Sequence, residues 1–189
     1  MSAVPTARTT RRPRRGLGRL AAVAGGLVVA MTVSLAPANA ATGAMVVPTT
    51  GRVTGIVGSY CSSGGSHGGI DIAAKTGTPV RAADSGTVSI AGKRAGSESY
   101  GTFVRLHHGT HYRTIYAHLS KLAVKQGQTV KEGQVIGYVG STGHSSGPHL
   151  HFEVRRDNVR QSGINASFRC RTTVTAGTRI QWSFPGLAR

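Results

Sequence analysis

Apolar and polar positions alternate with a period of two in short runs along most of the chain. The runs are Arg52-Val53-Thr54-Gly55-Ile56-Val57, Thr78-Pro79-Val80-Arg81-Ala82, Gly86-Thr87-Val88-Ser89-Ile90, Thr102-Phe103-Val104-Arg105-Leu106, Tyr112 to Leu119 and Gly147 to Val154. Each is rich in β-branched or aromatic residues and is bounded by glycine turns, and no stretch sustains a helical period over three turns. The pattern predicts an all-β, mainly antiparallel, sandwich-like single domain. Val124 to Val130, Val130 to Ile136 and Val174 to Ile180 each read as strand, glycine turn, strand; the period is not sustained, which excludes a solenoid. Ala41 to Thr50, with small residues and Pro48, reads as a flexible lead-in to a domain spanning 51–189.

The first forty residues carry a different pattern. Arg8, Arg11, Arg12, Arg14, Arg15 and Arg19 precede an apolar run from Leu20 to Leu35, and Ala38-Asn39-Ala40 has the small-residue form of a cleavage site. Residues 1–40 therefore read as a secretory signal peptide. A retained anchor is the alternative, but the run is short and glycine-rich for a membrane span. Arg14-Arg15 admits twin-arginine export as an alternative to the general route. Cleavage after Ala40 would leave 149 residues, enough for one core, with 17 basic against 6 acidic residues, a balance of +11. Such a chain should be secreted and adhere to polyanions outside the cell, whether anionic wall polymers, anionic lipids or stray nucleic acid, with a generally soluble basic surface as the alternative. The basic residues are not interleaved with aromatics in runs, which argues against specific nucleic-acid binding. The two cysteines, Cys61 and Cys170, are too far apart for a zinc thiolate site and in an exported chain read as one disulfide.

The candidate chemistry lies on the polar faces of the strands. In Gly147-Pro148-His149-Leu150-His151-Phe152-Glu153-Val154, alternation puts His149, His151 and Glu153 on one face and Leu150, Phe152 and Val154 on the other. In Ser66-His67-Gly68-Gly69-Ile70-Asp71-Ile72-Ala73, Asp71 opposes Ile70 and Ile72, and the glycines let the backbone turn between His67 and Asp71. In Tyr112 to Leu119, His118 shares a face with Tyr112, Thr114 and Tyr116. Zinc hydrolases hold the ion with three His, Asp or Glu ligands and keep a position for water; His67, Asp71 and one of His149 or His151 meet that count. Glu153 is either a carboxylate that orients a ligand histidine or an exposed strand residue. His107, His108 and His111 lie at an expected hairpin tip and read as a solvated turn, and His144 is either a groove contact or a bystander. The loops Gly92 to Gly101 and Gly140 to Gly147 are expected to form opposite walls beside the site. No Gly-x-Ser-x-Gly elbow is present, and the cysteines are used in a disulfide, so serine and thiol nucleophiles compete poorly.

Ser66-His67-Gly68-Gly69-Ile70-Asp71, Tyr116-Ala117-His118-Leu119-Ser120, Lys131 to Gly137, and Gly140 to Gly143 followed by Gly147 to Glu153 together resemble the M23 zinc metallopeptidases, the lysostaphin and LytM-type peptidoglycan endopeptidases. The resemblance runs from about Gly51 to Val154. It implies that His67, Asp71 and His151 bind one zinc ion and that His118 and His149 are the catalytic pair, on a β-sheet fold of the LytM, duplicated hybrid motif type with a narrow groove. The activity it implies is hydrolysis of peptide cross-links in peptidoglycan by a secreted, cell-wall-associated chain, expected to be a monomer. It also implies no membrane insertion once the signal is removed. Two other classes stay open: a wall-binding activator of another hydrolase, since some family members have lost ligands, and a secreted protease for glycine-rich proteins. All five positions are intact here. The segment from about Arg160 to Arg189, with Cys170 and Phe184-Pro185-Gly186-Leu187, departs from the minimal family pattern and has no assigned role.

Overall fold

The computed structural model describes residues 44–181. The expected signal peptide and Phe184-Pro185-Gly186-Leu187 lie outside the described residues. Fifteen strands follow in chain order among the described residues: β1 (Ala44–Val46), β2 (Gly51–Ile56), β3 (Ser59–Tyr60), β4 (Ile70–Ala73), β5 (Pro79–Arg81), β6 (Gly86–Gly92), β7 (Phe103–His108) and β8 (Tyr112–Ala117). The rest are β9 (Leu119–Leu122), β10 (Thr129–Val130), β11 (Val135–Val139), β12 (His149–Arg156), β13 (Val159–Arg160), β14 (Thr173–Val174) and β15 (Arg179–Gln181). The only helical pieces among the described residues are 3-10 segments at Glu98–Tyr100 and Ser162–Ser167. None is long and apolar enough to cross a membrane.

The strands form a large antiparallel sheet in the order β10-β6-β7-β8-β12-β4-β2-β14, with β3 on β2 and β13 on β12, and a three-stranded sheet β5-β11-β9. The main core lies between them. Val53, Ile70, Ile72, Val104, Leu106, Tyr116, Leu150 and Phe152 from the large sheet meet Val80, Leu119, Ile136 and Val139 from the small one. Full burial of each large apolar side chain contributes about 1.5–3 kcal/mol, so the apolar half of every alternating run fixes which face its polar half presents. Tyr116 keeps its hydroxyl in this core by accepting the Ala83 N–H at 2.8 Å.

The segment expected as a lead-in is built in from Ala44 onward. β1 pairs antiparallel with β15, and Met45, Val46, Val47 and Thr49 are buried. Ala44–Val46 is a strand whose partner β15 lies far along the chain, so it has no local signal beyond its own hydrophobicity. The C-terminal segment closes the same core through Ile164, Phe168 and Ile180. Cys61 and Cys170 are joined by a disulfide across 109 residues, the pairing that the sequence predicts.

Candidate active site

β12 sits between β8 and β4, and its register sets the centre of the site. His151 stands opposite Asp71 on β4 and opposite Ala117 on β8. Leu150, Phe152 and Val154 point into the core, so His149, His151 and Glu153 share the opposite face, as the alternation predicts. On β4 the same logic buries Ile70 and Ile72 and turns Asp71 towards the histidines. His67 enters from the loop before β4. Gly55 and Gly69 make room for the rings: a Cβ at Gly55 would come within 2.9 Å of the His67 ring, and one at Gly69 within 2.9 Å of the His151 ring.

His118 reaches the groove by a different route. Tyr116 is in the core, so strict alternation would send His118 there too, and the shared face with Tyr112, Thr114 and Tyr116 expected from the pattern would keep it out of the site. The structure departs from that pattern because His118 has φ of 62°, in the left-handed region. That one residue ends β8, rotates the imidazole to the groove side and returns Leu119 to the core. The ring then lies 4.6 Å, centroid to centroid, from that of His149.

Each imidazole has one nitrogen committed to a fixed acceptor. His67 Nδ1 is 3.1 Å from the Ile56 carbonyl, His118 Nδ1 2.7 Å from the Thr142 carbonyl and His149 Nδ1 2.8 Å from the Gly147 carbonyl. A carbonyl only accepts, so these Nδ1 atoms carry hydrogen and the Nε2 lone pairs face the groove. His151 is reversed. Its Nε2 is 3.0 Å from Glu153 Oε1, and its Nδ1 is 2.9 Å from Asp71 Oδ1 and 3.2 Å from His67 Nε2. Asp71 Oδ2 is 3.1 Å from His67 Nε2 and Oδ1 is 3.6 Å from His149 Nε2. Donor atoms of His67, Asp71 and His151 all lie within 4.8 Å of one another, and all three residues are buried. Two imidazole nitrogens and a carboxylate at this spacing are the donor set of a zinc hydrolase, and the residues present fit the ion.

The electrostatics point the same way. Burial works to raise the pKa of Asp71, but hydrogen bonds from His151 and His67 outweigh it and hold the carboxyl well below its usual range. Burial works to lower that of His151, but Asp71 and Glu153 outweigh it and raise it to about 9. The field that favours a proton on His151 is the field a cation on Nδ1 would draw on. His118 is lowered to about 4, first by burial, then by the charges of His149 and His151, against the Thr142 carbonyl. Glu153 is only 1% exposed, which settles its role against an exposed strand residue. Burial would raise its pKa, but His151 and Arg155 lower it to about 2.

The five predicted residues line one open groove of about 850 Å³, which His144 also lines. The two loops expected on opposite sides are instead one wall: His144 N–H donates to Ser99 O at 3.0 Å and Thr102 N–H to Thr142 Oγ1 at 2.9 Å. Gly101 and Gly143, with φ of 63° and 74°, touch backbone to backbone; a Cβ on either would lie 2.4 Å from the other loop. The other wall is the Tyr60 to Ser66 segment, because β3 extends the sheet on the β4 side of β12 while β6 and β7 lie on the β8 side. Tyr60 lies 4.4 Å from the His67 ring, centroid to centroid. Among the histidines of the β7–β8 hairpin, His108 bonds Ser85 O and Thr114 Oγ1, and His111 bonds Asp157, so they do not converge.

Tyr60, Tyr100, Arg155 and Arg160 are groove residues that sequence reasoning missed. Arg155 was within reach of it, as the next step of the series His149, His151, Glu153. The others arrive through pairing between distant segments and carry no local signal.

The family model described as Peptidase family M23 matches residues 65–163, more than half of the chain. The chain belongs to peptidase family M23. A DD-carboxypeptidase/endopeptidase Mpg of Neisseria meningitidis is 51% identical over 89 residues, 47% of this chain and 20% of that protein. A peptidoglycan DD-endopeptidase ShyA of Vibrio cholerae is 44% identical over 100 residues, 53% of this chain and 22% of that one. The chain thus spans about a fifth of the length of these curated relatives. Among solved structures, the catalytic domain of lysostaphin from Staphylococcus simulans superposes with a TM-score of 0.50 at 35% identity, covering 64% of this chain and 88% of that one. A zinc containing peptidase from Vibrio cholerae gives 0.53 at 34% identity, covering 60% and 37%. The antiparallel β fold is that of the M23 catalytic domains.

Proposed function

We propose that the chain is a secreted, zinc-dependent endopeptidase that hydrolyses peptide cross-links of bacterial peptidoglycan. The observation that carries this reading is the orientation of four imidazoles, each held at one nitrogen by a carbonyl or carboxylate and turned with the other towards the groove, where those of His67 and His151 meet the buried Asp71 carboxylate. In this reading His67 Nε2, Asp71 and His151 Nδ1 hold the metal, with Glu153 fixing the His151 ring through its second nitrogen. Zinc bound there would supply Lewis acidity and bring the pKa of a water towards neutrality. His149, its Nδ1–H tied to Gly147 O, presents Nε2 as the base that accepts the water's proton and returns it to the leaving amine. His118 carries its hydrogen on Nδ1 in the neutral tautomer seen here. To stabilise the developing oxyanion it must present a proton at Nε2, which negative charge in the groove would favour.

Relatives named for peptidoglycan endopeptidase activity support the substrate class, and the serine-lined groove suits a peptide with small side chains. The mature balance of +11 supports adhesion to anionic wall polymers, with binding to walls expected to fall steeply with salt. The decisive experiment incubates purified protein with cell walls and follows new amino termini. Release that needs zinc and stops with chelator supports the reading. No release from walls or defined cross-linked muropeptides, at full zinc occupancy, would refute it and favour a binding role.

A further inference from the structure

One cation in the groove has no function in that chemistry. Arg160 lies on β13, whose pairing opposite Arg155 carries it to the groove. Its guanidinium rests over Gly68, where a Cβ would come within 2.9 Å of Arg160 Nε and Cζ, so the absence of a side chain at 68 lets the cation lie beside His67. Arg160 Nε is 3.3 Å from Glu153 Oε1. That carboxylate is already engaged: Arg155 Nε is 2.6 Å from Oε2, while His151 Nε2 and the Tyr100 hydroxyl are 3.0 and 2.8 Å from Oε1. Two guanidinium charges therefore face one carboxylate. The spare charge belongs to Arg160, whose side chain is 50% exposed against 22% for Arg155.

The rest of the lining sharpens the contrast. Its other carboxylate, Asp71, is buried among the histidines, and most remaining positions are serine and glycine. Such a groove offers hydroxyls and one half-exposed guanidinium, which shares Glu153 with Arg155 and also bonds Tyr100, so that part of its hydrogen-bonding fork is open to a ligand. Guanidinium suits this task better than ammonium, because its fork matches a carboxylate with two parallel hydrogen bonds.

We propose that Arg160 binds a free carboxylate of the substrate next to the scissile amide, so that the preferred cross-link carries an ionised carboxylate there rather than a carboxamide or no group at all. The proposal rests on the peptidase reading of the same groove and gives the segment after β12 a part in substrate choice.

The test uses two pairs of peptides, each pair differing only in a carboxylate or carboxamide beside the amide: one pair cross-linked and cleavable, one pair of non-cleavable fragments. Calorimetric titration of the fragments into full-length, zinc-loaded protein should show the carboxylate form binding at least about 10-fold more tightly. Arg160→Gln should bring the two forms within about 3-fold, and Arg160→Lys should fall between. With the cleavable pair the same preference should appear mainly in KM. Equal binding of the two fragments by the wild-type protein overturns the proposal. So does a preference that survives in Arg160→Gln, since a carboxylate held by the metal alone would keep its advantage there. Binding preference without cleavage of either cross-link would defeat the peptidase reading and leave the carboxylate site standing; cleavage without preference would defeat only the site.

Discussion

Removing the Cys61–Cys170 disulfide should cost a large fraction of the stability without removing the site. The bridge closes a loop across 109 residues, and the chain-entropy relation gives about 5 kcal/mol at 25 °C for a loop of that length. Domains of this size are stable by about 5–15 kcal/mol in total. With an unfolding entropy of about 2.1 cal/mol/K per residue over about 140 residues, the same loss lowers Tm by roughly 15 °C. The native contacts around the bridge survive its loss in part, because Arg171 N–H still donates to Val53 O at 2.9 Å and Phe168 stays in the core. Urea unfolding of Cys61→Ser, Cys170→Ser and the double variant should therefore give three nearly equal losses, since each removes one shared crosslink. The denaturant slope should rise in all three, as the unfolded chain becomes more expanded. Reduced wild-type protein should match them. Losses that add in the double variant, or single variants differing by more than about 1.5 kcal/mol, would refute the reasoning and mean that each cysteine acts through its own packing.

His151→Ala and His149→Ala should both lose most activity, by separate routes: zinc content after dialysis collapses in the first, and stays near stoichiometric in the second, with turnover down by roughly 10²–10⁴. Zinc lost from His149→Ala and kept in His151→Ala would reverse the assignment. At the left-handed position 118, His118→Gly should unfold at a higher denaturant concentration than His118→Ala, by on the order of 1 kcal/mol, because only glycine adopts a positive φ without strain; equal midpoints would refute the claim of strain. Glu153 is held at about 2 against an ordinary 4.5, so in chelator its contribution is full above about pH 4.5 and is lost as pH falls through about 2. The loss should be on the order of 2–3 kcal/mol in denaturant midpoints followed with pH, and Glu153→Gln should flatten that slope.

What the sequence disclosed follows from the range of each signal. The faces of β12 and β4 were legible because a period of two is local: once Leu150 and Phe152 are buried, His149 and His151 have only one face left. His118 was legible as a motif residue but not as geometry, since nothing in Tyr-Ala-His-Leu announces a positive φ at the third position. The strand at Ala44–Val46 and the placing of the two long loops depended on partners far along the chain, β15 for the first and each other for the second. Arg160 was invisible for the same reason, because its place follows from pairing with Arg155 and from the bare surface of Gly68.

The contact between Gly101 and Gly143 makes the two loops of one wall a single heritable part. Neither glycine can gain a side chain without pushing into the other loop's backbone, so a change in the path of one loop demands a matching change about forty positions away. Grafting either loop alone from a relative should produce a poorly folded chimera, while transferring both together carries the wall intact. Variation in what the groove accepts is then left to the tips, at residues such as Ser97 and His144, which line it and can be exchanged one at a time.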